Sequence, residues 1–147
     1  MHSSPKPNAN FSALFASCAG RKQAPESGNL LSRLPVIDAA AALYDSKAPS
    51  IKLHELHPIP SANLHPVTSD SLKGLYSTQM VSKSGQARSE YDRMLAISKK
   101  SRCCFCSYED PTELDHFLPK SVFPEFSILP INLIPSCHRC NKLKASA

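Results

Sequence analysis

Two pairs of cysteines constrain this chain more than any other feature. Cys103 and Cys106 form one CxxC pair, and Cys137 and Cys140 form a second, with 30 residues between the two pairs. A CxxC turn can direct two sulfur atoms at one metal ion, and two such turns complete the tetrahedral four-thiolate set that zinc prefers in closed structural sites. The pattern therefore predicts a structural Zn²⁺ site at these four cysteines.

The two other cysteines are harder to assign. Cys104 is either a free thiol or a ligand in place of Cys103, and Cys18 is too distant in the chain to be given a role. Five cysteines in two short clusters do not have the spacing of a secreted disulfide framework. Because metal-binding thiolates need a reducing compartment, and because the chain lacks an apolar run of about 18 residues, we expect a cytoplasmic protein with no membrane partner.

Positive charge is concentrated just before the first cysteine pair. The formal net charge is +5, and residues 71–102 contain seven Lys or Arg against two acidic residues, whereas residues 1–70 contain six against five. Basic side chains bind a phosphate backbone without regard to base sequence, so Arg88, Arg93 and Lys99 are predicted to contact nucleic acid. The alternative, which is compatible with the first, is a solvated basic face on a helix that packs through its other side.

The rest of the chain divides into segments by composition. A helix is predicted over about 29–46, with Pro35 disturbing its first turns, followed by a linker with one possible strand at 51–56 and exposed histidines. Further helices are predicted from a cap at Ser69 or Ser71, with an interruption at Gly85. The predicted order is a flexible arm (1–29), a helix and Pro-rich linker (30–70), a basic helical segment (71–102) and a zinc-bound module (103–147).

Polar residues suited to phosphodiester hydrolysis lie between and beside the cysteine pairs. They occur in three stretches: LDHFLPKS at 114–121, NLIP at 132–135 and CHRCNKLK at 137–144. Their order, spacing and residue types together resemble the HNH endonuclease family, in particular its zinc-bound branch with the pattern DH…NL…CxxCNxxK. The resemblance covers about 103–144, which is under a third of the chain.

The resemblance implies an α+β protein whose C-terminal module has the ββα-metal fold, with two antiparallel strands and a helix around one catalytic ion. His116 would end the first strand as the general base, and Asp115 would bind the ion. Asn132 would hold the loop between the strands and so orient His116. Asn141, at the start of the helix, would be the second protein ligand of the ion.

These residue types are chemically appropriate for the reaction. A neutral imidazole can take a proton from an attacking water near pH 7, and a hard cation held by oxygen ligands can offset the charge that develops on the phosphate. Oxygen ligands favour Mg²⁺ or Mn²⁺ as the catalytic ion. Lys120, Lys142 and Lys144 are close enough in sequence to this centre to bind flanking phosphates.

Each of these assignments has a simpler alternative when it is taken singly. The Asp115–His116 pair could be a surface pair, Asn132 a turn residue, and Asn141 a helix cap. The chain also ends six residues after Asn141, little more than one helical turn and a half at about 3.6 residues per turn. A shortened reading frame, a protein partner that completes the C-terminal helix, or a degenerate nuclease would each account for this ending.

The sequence therefore predicts a metal-dependent HNH-type endonuclease whose partner is nucleic acid, taken as double-stranded DNA. A setting in defence or in a mobile element follows from the resemblance alone. The main alternative is a non-catalytic, zinc-stabilised module that binds nucleic acid, and a zinc-stabilised protein-interaction domain is the third hypothesis.

Overall fold

The computed structural model describes residues 10–98 and 102–146 and has the predicted α+β class. The strands are β1 (Glu113–His116) and β2 (Leu133–Ser136), and a π-helical segment (Tyr76–Val81) continues the fifth helix. The helices are α1 (Phe11–Gly20), α2 (Glu26–Ser32), α3 (Leu34–Lys47), α4 (Ser61–Leu64), α5 (Ser69–Leu75), α6 (Arg88–Ser98) and α7 (His138–Ser146). Within the described ranges, no helix has both the length and the apolar composition needed to cross a membrane.

The N-terminal region differs from the predicted flexible arm, because this segment contains the helix α1. The side chain of Asn10 caps this helix by accepting a hydrogen bond from the Ala13 N–H at 3.1 Å. Phe15, Cys18 and Ala19 lie on one helical face and are fully buried. The small polar residues of this segment led to the prediction of a flexible arm. The helix is stabilised instead by burial of its apolar face.

The predicted helix over 29–46 is divided into two helices. α2 ends at Ser32, and α3 begins at Leu34 with Pro35 in its first turn, where a missing N–H group costs nothing. The strand expected at 51–56 is wrong, since this segment contains a 3₁₀ turn at Leu53–Glu55. The N–H groups of Glu55 and Leu56 donate within this turn, to the carbonyl oxygens of Lys52 and Leu53, and so are not available to a partner strand.

The helices that precede the cysteine-rich region follow the predicted order. The N-cap of α5 is Thr68, which accepts a hydrogen bond from the Ser71 N–H at 3.1 Å, rather than Ser69 or Ser71 themselves. The chain then turns at Gly85, where a Cβ atom would collide with the backbone of Gln79. Glycine is therefore required at this turn for steric reasons.

The C-terminal region has the strand–strand–helix order that the sequence predicted. β1 and β2 are antiparallel, with Glu113 opposite Ser136 and His116 opposite Leu133. α7 follows β2 after a single residue, Cys137. The long connection between the strands contains two 3₁₀ turns, Pro124–Phe126 and Pro130–Asn132.

The hydrophobic core joins this C-terminal region to the preceding helices. One buried cluster contains Phe15, Leu72 and Met80 of the helical part together with Leu114 and Leu133 of the strands. A second cluster brings Tyr44 of α3 against residues of the strand connection. The helical segments and the C-terminal hairpin therefore share hydrophobic clusters, through which the helices pack against the hairpin.

Glu125 is buried in the connection between the strands. Its Oε2 atom accepts a hydrogen bond from the Ile59 N–H at 2.6 Å, which ties the proline-rich segment to the connection. Its Oε1 atom has no hydrogen-bond partner among the described residues. Burial raises the pKa of the Glu125 carboxyl group, because a low-dielectric environment disfavours its charged form.

We expect Glu125→Gln to make the protein more stable relative to wild type at pH 8 than at pH 5. A raised pKa means that the folded state binds a proton more tightly than the unfolded state. This carboxyl group therefore lowers the stability of the protein as the pH rises above the pKa that the group has in the unfolded state. Glutamine cannot ionise and so removes that dependence. Urea unfolding of both proteins at each pH tests this, and an equal difference at the two pH values would contradict it.

Candidate functional site

The four predicted zinc ligands come together at the base of the hairpin. Cys103, Cys106, Cys137 and Cys140 have sulfur atoms that all lie within 4.8 Å of one another. The Sγ atoms of Cys106 and Cys137 are 3.9 Å apart, close to the separation of about 3.8 Å expected for tetrahedral zinc–sulfur bonds of about 2.3 Å. The arrangement is therefore compatible with a zinc ion or a similar metal ion.

The thiol pKa values indicate why such a cluster needs a cation. Burial raises the pKa of Cys103, but backbone hydrogen bonds from Cys106, Cys137 and Phe105 outweigh it and lower the pKa to about 6. The pKa of Cys140 is raised to about 12, first by its hydrogen bond with the Cys137 thiol and then by burial. One thiolate forms readily, but four at this spacing repel one another unless a cation is bound among them.

The structure resolves the choice between the two adjacent cysteines. Cys103 belongs to the four-sulfur cluster, whereas Cys104 is buried outside it. Cys18 packs in the helical core, where burial raises the pKa of its thiol to about 11. Cys18 is thus a small apolar core residue with little thiolate character.

His116 lies at the end of β1 and is 7% exposed. Its Nε2 atom is 2.8 Å from the carbonyl oxygen of Ser127. A carbonyl oxygen only accepts, so Nε2 carries the hydrogen and Nδ1 of the neutral ring is the unprotonated nitrogen. Burial lowers the pKa of His116 to about 4, and the nearby charge of Lys120 acts in the same direction.

Asn132 is completely buried and connects three parts of the chain. Its Oδ1 atom accepts hydrogen bonds from the Leu118 N–H at 2.9 Å and from the Tyr44 hydroxyl at 3.0 Å. Its Nδ2 atom donates to the carbonyl oxygens of Leu118 at 3.1 Å and Phe126 at 3.4 Å. These contacts hold the loop segment that follows His116; the orientation of His116 by Asn132 stays a prediction.

Asp115 on β1 and Asn141 on α7 both line one cleft, and each has a hydrogen-bond partner within the protein. The Nδ2 atom of Asn141 donates to Glu113 Oε1 at 2.7 Å, which leaves the amide oxygen of Asn141 directed away from that carboxylate. The Oδ2 atom of Asp115 accepts a hydrogen bond from Lys144 Nζ at 2.8 Å. Asn141 lies inside α7, which begins at His138, so it does not serve as the helix cap.

A cleft with a volume of about 660 Å³ runs beside these residues. Its lining includes the predicted base, the predicted metal ligands Asp115 and Asn141, the acidic Glu113 and the basic Lys120. Carboxylate and amide oxygens are the donor types that hard divalent cations prefer. Binding of such an ion in this cleft stays a prediction.

The predicted basic contacts have different surroundings. Arg88 pairs with Asp92 and also donates to the Val81 carbonyl oxygen, and Arg93 pairs with Glu90. These ion pairs within α6 reduce the free positive charge on its surface. Lys142 is exposed, and Lys99 lies outside the described residues.

Lys120 lines the cleft together with His116. Its Nζ atom lies 4.9 Å from the centre of the Tyr76 ring. Burial lowers the pKa of Lys120, and the charge of Lys73 adds to the effect. Nucleic-acid binding by these basic residues stays a prediction.

The chain is similar to a protein of phage lambda. It is 32% identical over 144 residues to "Protein ea31" of Escherichia phage lambda, and the alignment covers 93% of this chain and 48% of that protein. The chain thus spans about half the length of this curated relative, whose name states no activity. No family model and no solved structure matches the chain.

Two tyrosines and one glutamate at the site were not predicted as site residues. The hydroxyl of Tyr76 donates to the Leu114 carbonyl oxygen at 3.0 Å, and its ring packs edge-on against His116 with the ring centres 4.5 Å apart. Tyr44 reaches the site from α3 through Asn132. Glu113 could have been found, because residues two apart on a strand share one face and Glu113 precedes Asp115 by two positions.

We expect Cys137→Ser to reduce bound zinc from about one ion per chain to well below that value, because a closed zinc site requires four ligands. Zinc affinity of the wild type should also fall as the pH falls, since the thiols release protons when they bind. Elemental analysis and competition with a chelator measure both effects. Cys104→Ala is the matched control and should retain zinc; its loss of zinc would contradict the assignment of Cys103.

We expect Asn132→Ala to lower the free energy of unfolding by roughly 3 kcal/mol or more, because each buried group left without a partner costs about 1–3 kcal/mol. Tyr44→Phe removes only one of the four hydrogen bonds of Asn132 and should cost about 1 kcal/mol. Denaturant unfolding of the zinc-loaded proteins gives both values. Equal losses for the two variants would show that Asn132 does not organise the loop.

Proposed function

We propose that this protein is a metal-dependent HNH-type endonuclease that hydrolyses phosphodiester bonds in DNA. The observation that carries the proposal is the position of His116. A neutral imidazole with a defined unprotonated nitrogen lines the same cleft as Asp115, Asn141 and Lys120. A base, oxygen ligands and a positive charge in one cleft are the groups that this reaction requires.

His116 presents an unprotonated nitrogen, Nδ1, as the proton acceptor. Burial lowers the pKa of the ring to about 4, so the ring is neutral at pH 7 but a weak base; the negative charge of a bound phosphate would raise this pKa and favour proton transfer from a water that attacks phosphorus. The Ser127 carbonyl oxygen holds Nε2, so the ring keeps its orientation while Nδ1 becomes protonated. The edge-on Tyr76 ring restricts the same imidazole from the other direction.

Asp115 and Asn141 are the residues that would hold the catalytic ion, with Glu113 beside them. A bound Mg²⁺ or Mn²⁺ ion would offset negative charge on the scissile phosphate and leave positions open for water. β1 carries the carboxylates, and Asn141 Nδ2 donates to Glu113, so the Asn141 amide would have to turn its oxygen toward the carboxylates to share one ion with them.

Lys120 is the residue best placed to bind the phosphate that enters the cleft. It lines the cleft with His116, and the face of Tyr76 holds its ammonium group by a cation–π contact. A positive charge in a partly enclosed site attracts phosphate more strongly than one at an open surface. Double-stranded DNA is the proposed substrate.

We expect His116→Ala to lower the rate of plasmid cleavage in Mg²⁺ or Mn²⁺ by about 10²–10⁴-fold, the usual contribution of a general base. Zinc content should stay the same, because His116 is outside the four-sulfur cluster. Conversion of supercoiled plasmid to nicked and linear forms measures the rate. His57→Ala, in the exposed part of the proline-rich segment, is the matched control and should cleave like wild type.

Three results would contradict the proposal in different ways. Salt-sensitive DNA binding without cleavage in any divalent metal would favour the non-catalytic, zinc-stabilised nucleic-acid-binding module. Neither binding nor cleavage by the zinc-loaded protein would favour the protein-interaction domain. Cleavage that His116→Ala leaves unchanged would show that the base lies elsewhere.

A further inference from the structure

Lys144 occupies a different place from the one expected for a phosphate-binding lysine. Its Nζ atom donates to Asp115 Oδ2 at 2.8 Å and to the main-chain carbonyl oxygen of His116 at 2.7 Å. Both acceptors lie at the end of β1. A positive charge of the chain itself therefore neutralises the carboxylate that we assign to the divalent cation.

This ion pair is more enclosed than an ordinary surface pair. The Asp115 side chain is 10% exposed and that of Lys144 is 38% exposed, so water screens the pair less than it screens an exposed one. Lys144 follows Asn141 by three positions, which puts both side chains on the same side of α7. α7 thus meets the acidic side of β1 through an ammonium group and an amide N–H group.

Asp115 cannot bind the Lys144 ammonium group and a divalent metal ion at the same time with full affinity for each. An ammonium group at hydrogen-bond distance from Oδ2 repels a divalent ion bound to the same carboxylate, because like charges a few ångströms apart interact strongly in a partly buried site. Binding of the ion must therefore release Lys144. The rings of Phe105 and Phe117, with centres 5.6 and 6.0 Å from Nζ, provide cation–π contacts that the released ammonium can keep.

We propose that Lys144 is a tethered counter-ion of the metal site. Its ammonium group holds Asp115 until a divalent cation exchanges for it, and that exchange frees a positive charge beside the cleft for a phosphate group. The inference rests on the proposed function, because it takes Asp115 as a ligand of the divalent cation. It assigns Lys144 a regulatory role in metal binding that its sequence position does not indicate.

The test is calorimetric titration of Mn²⁺ into zinc-loaded wild type and variants, without DNA. Lys144→Met removes the charge but keeps an unbranched side chain, and should bind Mn²⁺ roughly ten-fold or more tightly than wild type, because only the wild type must break hydrogen bonds to a charged group. Lys144→Arg keeps the charge and should bind like wild type. Asp115→Asn should lose most of the Mn²⁺ affinity.

A purely structural role for Lys144 predicts the opposite sign. If the lysine only attached α7 to β1, its loss would loosen the site and weaken Mn²⁺ binding. Equal or weaker binding by Lys144→Met that retains zinc overturns the inference, while Mn²⁺ binding and DNA cleavage by wild type would leave the proposed function standing. Should Lys144→Met lose zinc, Lys144→Gln carries the same expectation and the same criterion.

Failure of the proposed function has a separate signature. Wild type, Lys144→Met and Lys144→Gln would then all lack Mn²⁺ binding while zinc remains bound, and plasmid would stay intact. That outcome overturns the metal-site assignment of Asp115 and the counter-ion role together.

Discussion

The four-cysteine cluster joins the ends of β1 and β2, which are held together only weakly by their own strand pairing. β1 and β2 share four residue pairs, and an isolated two-stranded ribbon of that size is marginal in water. Cys103 and Cys106 precede β1, whereas Cys137 directly follows β2 and Cys140 lies in the first turn of α7. A metal ion bound by their sulfur atoms would therefore secure both the strand pairing and the start of the helix. Because Asn141 follows Cys140 directly, its position opposite β1 depends on the same cluster.

The helical part of the chain completes the site as well as the core. Tyr44 of α3 donates to Asn132, and Tyr76, at the start of the π-helical segment, contacts both the β1 backbone and the His116 ring. Each tyrosine buries its ring and donates its hydroxyl hydrogen to a buried polar group. The orientation of His116 and its loop thus depends on helices that precede the cysteine pairs in sequence. This dependence gives residues 10–98 a structural role in the proposed chemistry.

Two different kinds of donor are kept apart around the hairpin. The sulfur atoms form one cluster, whereas the carboxylates of Glu113 and Asp115 lie along β1 and accept hydrogen bonds from Asn141 and Lys144 of α7. Soft thiolates suit zinc, whereas carboxylate and amide oxygens suit Mg²⁺ or Mn²⁺. The separation allows one ion to have a structural role and another to serve the proposed reaction. Besides these two ions, the ammonium group of Lys144 places a positive charge of the chain itself beside the Asp115 carboxylate.

The local chemistry of the C-terminal region could be predicted from the sequence, because it depends on short spacings. Two residues between cysteines suffice to bring two sulfurs together, and the resemblance to the HNH pattern implied that His116 ends the first strand and that Asn132 lies in the loop between the strands. The α1 helix was missed because its small polar residues suggested flexibility, and its stability comes from the burial of Phe15, Cys18 and Ala19 against other helices. Local composition carries no information about such a partner surface.

The remaining contacts required the packed chain. Tyr44 and Asn132 are 88 positions apart, and nothing near either residue indicates that they meet. Lys144 was predicted to be a phosphate contact because a sequence reports its charge, but the distance between its ammonium group and Asp115 depends on how α7 lies against β1. The charge and type of each residue, and its spacing from its neighbours in the chain, can be read directly from the sequence. Which charge neutralises which is a matter of distance through space, and packing alone sets that distance.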